Sequence, residues 1–166
     1  VGFSGFKGNF TTEVLVGPGM YARKIEHGVV ILATGAEEYQ PKEFLYGQNE
    51  RVMTQIELAH RLEEKGAQDL KQVVMIQCVG SRNEENPNCS RICCQSAIKN
   101  ALHIKKLQPD AQVFILYRDI RTYGLLEDYY TEARKLGVLF SRFDPEDPPT
   151  VESSDAGVMV TFKDHV

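Results

Sequence analysis

The stretch "QVVMIQCVGSRNEENPNCSRICCQSAIKNALHIKKL", Gln72 to Leu107, decides the fold. It opens with a short apolar run, Gln72–Gly80, closed by glycine. Such a run reads as a strand buried on both faces, as in a parallel sheet. It ends with Ile98, Ala101, Leu102 and Ile104 in helical register, and Lys105 and Lys106 sit where a helix dipole favours cations. Downstream, "AQVFILYRD" is a second buried strand, "LLEDYYTEARKLG" a helix stopped by Gly137, and "VLFSRF" a third strand. Strand, helix, strand, helix, strand with short links is a doubly wound α/β unit.

Upstream, residues 1–36 read as β-structure. "NFTTEVLVG" ends at the turn signal Gly17-Pro18-Gly19, and "MYARKIEHG" is its return strand. "GVVILATGA", closed by Gly35, reads as another strand buried on both faces. Residues 37–52 are loop-like. Thr54 is placed to cap a helix over "QIELAHRLEEKG" with Ile56, Leu58, Ala59 and Leu62 on its apolar face and Gly66 at its end. "DPEDPP" is a rigid surface loop, and "GVMVTFKD" one arm of a closing β-element.

The chain has 166 residues, 42% of them hydrophobic and 25% charged, with a net charge of −4. That is ordinary for a packed domain and lacks the basic surplus of a nucleic-acid binder. No internal repeat, secretory signal or apolar run long enough to cross a membrane occurs. The expectation is a cytoplasmic protein without direct membrane insertion. It opens on Val1 rather than Met, which reads as an excised or processed segment.

All four cysteines, Cys78, Cys89, Cys93 and Cys94, crowd into seventeen residues with spacing C-x10-C-x3-C-C. A disulfide scaffold would spread them along the fold; crowding suits a cytosolic metal or redox site. Cys78 ends a strand, and the other three flank a helix start. Neighbouring helical residues diverge by roughly 100°, so Cys93 and Cys94 are expected not to point one way without distortion. That is awkward for one zinc ion and easier for a larger iron–sulfur cluster, whose ligands approach separate corners. Arg82 and Arg91 would add positive charge nearby. Zinc binding and thiol exchange stand as alternatives, and buried small cysteines as the bland one.

A βαβ unit also raises dinucleotide binding. The G-x-G-x-x-G fingerprint is missing after the first strand, where only Gly80 remains, so a nicotinamide-binding domain is the second reading. Asp119 and Arg121 follow a strand end, where α/β sites gather; they would position the cysteine loop or a partner, against the plainer reading of a surface ion pair. Tyr117, Tyr123, Tyr129 and Tyr130 read as a ring covering a helix face. His27, His60, His103 and His165 are scattered and form no metal spacing with the cysteines.

"QCVGSR" followed by "CSRICC" resembles the A-type flavoprotein subunits of heterodisulfide reductases. It also resembles related flavoprotein subunits of quinone-interacting membrane-bound oxidoreductase complexes. "GFKGNF", "ILATGA" and "YRDIRTYG" are similar to stretches of the same family. The resemblance implies that Cys78, Cys89, Cys93 and Cys94 ligate a 4Fe–4S cluster in a thioredoxin-reductase-like flavoprotein. It implies a Rossmann-like, nicotinamide-type domain over residues 41–166 and a β-rich fragment of a split FAD-binding domain over residues 1–40. It places Thr34 and Gly35 near FAD; Gly80, the one glycine left of the dinucleotide fingerprint, is the remaining cofactor-binding candidate. The glycine-rich FAD fingerprint does not occur here, so this segment alone is expected not to hold FAD. Implied partners are other subunits of a redox complex. Many members carry a ferredoxin-like insert between the GNF and ATG stretches. Here about twenty residues without a cysteine separate them, which points to a simpler branch.

Overall fold

The structure, a computed structural model, describes residues 2–155 and 157–164. Val1, Ala156, His165 and Val166 lie outside them, and with them the reading of His165. The chain divides into two compact units, Val1–Glu38 and Tyr39–Val166.

The first unit is an antiparallel sheet of three strands in sequence order: β1 (Gly2–Phe6), β2 (Asn9–Val16) and β3 (Tyr21–His27). Lys7-Gly8 closes the first hairpin, with Phe6 opposite Asn9 and Gly8 at φ 93°. Gly17, Pro18, Gly19 and Met20 close the second, with Val16 opposite Tyr21. The turn chemistry read from the sequence is therefore where the chain reverses. Phe3 stacks on Phe10 at 5.1 Å, and His27 lies beside both rings. The Val29 carbonyl accepts from His27 Nδ1, which leaves Nε2 to accept from the Thr12 hydroxyl at 2.8 Å.

The expected buried strand at "GVVILATGA" does not form. Residues 29–36 are irregular, and Ile31 and Leu32 are 86% and 85% exposed. A strand apolar on both faces holds only between two hydrogen-bonding neighbours with both faces covered. Among the described residues β1, β2 and β3 pair only with each other.

The second unit carries a parallel sheet of β4 (Gln72–Ile76), β5 (Gln112–Tyr117) and β6 (Leu139–Arg142), ordered β4-β5-β6. Helix α2 (Cys93–Leu107) crosses from β4 to β5, and α3 (Leu126–Lys135) from β5 to β6. This is the Rossmann-like α/β arrangement expected. It forms one βαβαβ half of the doubly wound plan; the strand order does not reverse among the described residues.

Helix α1 (Gln55–Lys65) precedes the sheet and packs on α2. Its start follows from Thr54, whose hydroxyl accepts from the Glu57 N–H while the Glu57 carboxylate accepts from the Thr54 N–H. This reciprocal cap satisfies two otherwise orphaned donors. Gly66 ends it at φ 70°. Leu58 and Leu62 are buried, but Ile56 is half exposed.

The core lies between the sheet and the helices. Val113 and Ile115 of β5, Met75 of β4, Ala97, Ile98, Ala101 and Ile104 of α2, and Ala133 of α3 are buried in one cluster. Small residues on α2 let the helix approach the sheet closely, and Ile104 fills the space between them. Tyr130 meets Phe140 edge-on at 4.7 Å with Arg134 over its ring, as the helix-covering reading expects; Tyr123 and Tyr129 remain more than half exposed. A hairpin of β7 (Thr150–Ser154) and β8 (Gly157–Thr161) closes the unit.

Candidate metal centre

The parallel sheet places the cysteine stretch at the C-terminal edge of β4, where open α/β sheets form their crevices. β4 ends at Ile76, and Gln77 keeps one further ladder bond, from its N–H to the Leu116 carbonyl. The chain then turns sharply. Cys78, Gly80, Arg82 and Arg91 all lie in the left-handed region, at φ 65°, 64°, 58° and 62°. Three of these carry side chains that disfavour it, so the loop from Cys78 to Arg91 stores backbone strain.

Gly80 is required for a specific reason. A Cβ there would lie 2.3 Å from the Tyr39 ring, which covers the glycine. The Tyr39 hydroxyl donates in turn to Glu43. No spacing or motif in the sequence points to this contact.

Cys78, Cys93 and Cys94 come together although fifteen positions of chain separate the first two. Cys93 is the middle one, half-buried, with the Cys78 and Cys94 thiols in hydrogen-bonding contact with its sulfur. Those two donors, chiefly Cys78, hold Cys93 far below the ordinary thiol range against the effect of burial. Cys78 and Cys94 are pushed up for the complementary reason: each keeps its proton to share with Cys93, and burial adds to the effect. The trio therefore titrates as a coupled group, in which Cys93 is favoured over Cys78 and Cys94 to lose its proton.

The expected divergence of Cys93 and Cys94 does not keep their sulfurs apart. Both sit in the first turn of α2, where the side chains can rotate toward each other beyond the end of the helix. Cys94 is buried, and the Asp119 carbonyl, 3.7 Å from its sulfur, is the alternative acceptor for its one S–H. Cys89 is separate from the trio: its sulfur accepts the Arg91 N–H at 3.3 Å. Among the described residues no three His, Cys, Asp or Glu side chains are arranged to hold a single metal ion.

The surroundings are cationic. Arg82 Nη1 lies 4.0 Å from the Cys78 sulfur, and Arg82 Nη2 lies 2.7 Å from Asp119 Oδ2. Asp119 thus pairs with Arg82 across the loop; Arg121, its sequence neighbour, is 4.0 Å away. Only Arg82 of the two expected basic residues brings its guanidinium to a thiol; Arg91 contributes a backbone N–H. Ile92, at the cap position before α2, supplies no side-chain hydrogen bond, so the positive end of the helix dipole stays available to an anion. Gln77, buried beside Cys78 in the chain, has neither amide atom hydrogen-bonded.

The donor set fits an iron–sulfur cluster in its chemistry: thiols, one held below the ordinary thiol range, with a guanidinium and an open helix N-terminus beside them. Thr34 and Gly35 fall in the first unit. Both are exposed, and the space above Gly35 is open for 4 Å where a Cβ would stand. None of the described helices is long and apolar enough to cross a membrane.

No family model matches the chain. It is similar to the A-type subunit of a ferredoxin:CoB-CoM heterodisulfide reductase from Methanosarcina acetivorans, 34% identical over 180 residues, covering 82% of this chain and 22% of that protein. The A-type subunit of an H(2)/formate:CoB-CoM heterodisulfide,ferredoxin reductase from Methanococcus maripaludis is 39% identical over 148 residues, covering 76% and 22%. The A-type iron-sulfur subunit of a CoB–CoM heterodisulfide reductase from Methanopyrus kandleri is 38% identical over 152 residues, covering 76% and 23%. The chain spans less than a quarter of the length of each. The first alignment is longer than the chain itself, so that relative carries residues without a counterpart here.

Proposed function

The chain belongs to the family of A-type heterodisulfide reductase subunits, and we propose that Cys78, Cys89, Cys93 and Cys94 are the ligands of a 4Fe–4S cluster. The segment would serve a larger flavin-dependent oxidoreductase, relaying electrons between FAD and clusters of partner subunits. Residues 1–40 are then a fragment of a split FAD-binding domain, and residues 41–166 a nicotinamide-type domain refitted for the cluster. Thr34 and Gly35 would offer backbone to the flavin in the intact protein.

One observation carries this reading: the fold gathers Cys78, from a strand tip, with Cys93 and Cys94, from the next helix's first turn. The bound cluster would supply one-electron transfer. The chain's own residues prepare for it. Cys93 is held below the ordinary thiol range by its neighbours, so of the three its proton is the easiest to remove. Cys78 and Cys94 must each give up a proton, which the Arg82 guanidinium eases at Cys78 and the Arg121 N–H at Cys94. The α2 N-terminus then offers uncapped N–H groups to the added negative charge.

Anaerobic reconstitution with iron and sulfide tests the reading. The expected product holds about four iron and four acid-labile sulfides per chain, and Cys94→Ala loses them. Zinc bound without sulfide would instead favour a zinc-stabilised module. Tight NADPH binding by a colourless protein would favour a nicotinamide domain with exchanging thiols.

A further inference from the structure

The exit of β5, Arg118 to Arg121, contains no cysteine, yet it touches both ends of the cysteine stretch. On the Cys78 side, Asp119 Oδ2 holds Arg82 Nη2 at 2.7 Å, and Arg118 Nη1 donates to the Arg82 carbonyl at 2.7 Å. Arg82 in turn reaches the Cys78 sulfur. On the helix side, the Asp119 carbonyl accepts from Cys94, and the Arg121 N–H reaches the same sulfur. One four-residue segment therefore grips the loop after β4 and the first turn of α2 together.

A surface ion pair would be the ordinary account, worth little. Two features set this pair apart. The Arg82 side chain is only 20% exposed, shielded more than a rim charge. Arg82 also sits at φ 58°, a conformation that costs about 1–2 kcal/mol unless neighbouring contacts hold it. The contacts from Arg118 and Asp119 fall on that strained residue, one on its carbonyl and one on its guanidinium.

We propose that Asp119, assisted by Arg118, is a positioning residue for the cysteine site: it fixes Arg82 beside Cys78 and sets the distance between Cys78 and the first turn of α2. Its redox consequence rests on the cluster reading; its structural consequence does not. With Arg82 held, positive charge stays beside one ligand sulfur, which favours the reduced, more negative state and raises the reduction potential. Without Asp119, Arg82 is free to swing toward solvent and its strained backbone loses an anchor.

The test uses the full chain with Asp119→Asn, Arg82→Gln, Arg82→Lys and the double variant Asp119→Asn/Arg82→Gln. Asp119→Asn keeps the carbonyl that accepts from Cys94 and removes only the charge. Amide hydrogen exchange is measured first on the reduced, metal-free chain. Residues 79–90 are expected to exchange about threefold to fivefold faster in either single variant, as loss of a pair near the upper end for exposed ion pairs requires. The double variant should be no faster than the singles, and α1 should be unchanged in all. Reconstituted protein is then titrated for its midpoint potential, which should fall in Arg82→Gln and Asp119→Asn and be kept in Arg82→Lys. Unchanged exchange over 79–90, or additive effects in the double variant, overturns the proposal whether or not iron binds. The expected exchange pattern in a chain that takes up no iron and sulfide upholds the positioning role and removes the cluster reading instead.

Discussion

Replacing Gly80 by alanine tests the loop geometry with the smallest change available. Two costs arise. Gly80 sits at φ 64°, where a Cβ costs about 1–2 kcal/mol relative to glycine. The new methyl would also stand 2.3 Å from the Tyr39 ring, so something must move. Tyr39 is 47% exposed, so its ring can swing away, losing its packing on Gly80 and its long, solvent-exposed hydrogen bond to Glu43. That adds about 0.5–1 kcal/mol, the value of modest apolar burial. The expected loss is therefore about 2 kcal/mol, a drop in Tm of roughly 4–8 °C for a unit of this size. Urea denaturation of the reduced chain, followed by far-ultraviolet circular dichroism, reads it directly. The same substitution made on Tyr39→Ala should cost less, because only the backbone cost remains. A neutral Gly80→Ala, or an equal loss with and without the Tyr39 ring, would refute the argument that this glycine is fixed by backbone and ring together.

Thr54→Ala should destabilise the chain by about 1 kcal/mol, measured by the same denaturation, because it removes the hydroxyl that caps α1. In the metal-free reduced chain at about pH 6, limited iodoacetamide should alkylate Cys93 ahead of Cys78 and Cys94, as mass spectrometry of peptides would show, since of these three Cys93 is the one favoured to lose its proton. Asp69 is held below the usual carboxylate range by its hydrogen bond from Arg61, 2.6 Å away. A depressed carboxyl contributes stability above its unfolded value near 3.9, and that contribution fades as pH falls toward the folded value. Asp69→Asn should thus cost a few tenths of a kcal/mol at about pH 7, since Asp69 is solvent-exposed, and the difference from the parent chain should shrink as pH falls through the folded value of Asp69.

The parts legible in the sequence are those set by local chemistry. Gly17-Pro18-Gly19 turns the chain whatever surrounds it; Thr54 and Gly66 bound α1 through their own backbone contacts. The alternation of apolar strands and helices from Gln72 to Phe143 needs only its periods. "ILATG" misleads because an apolar run says nothing about whether sheet neighbours exist, and Ile31 and Leu32 find none among the described residues. Cysteine crowding marks the site, but its internal arrangement comes from contacts between residues far apart in the chain. Arg82 with Asp119 and Gly80 with Tyr39 join separate loops, and no spacing rule links them. Arg121, the partner that sequence proximity suggests for Asp119, stands farther from its carboxylate than Arg82 does. The meeting of Cys93 with Cys94 escapes a rule about helix interiors because helix starts leave side chains more freedom.

The most direct measurement is iron K-edge X-ray absorption on the anaerobically reconstituted full chain. Four cysteine ligands on a cluster predict a first shell of sulfur alone and a second shell of iron scatterers. Nitrogen or oxygen in the first shell, or no metal–metal shell, would contradict the account.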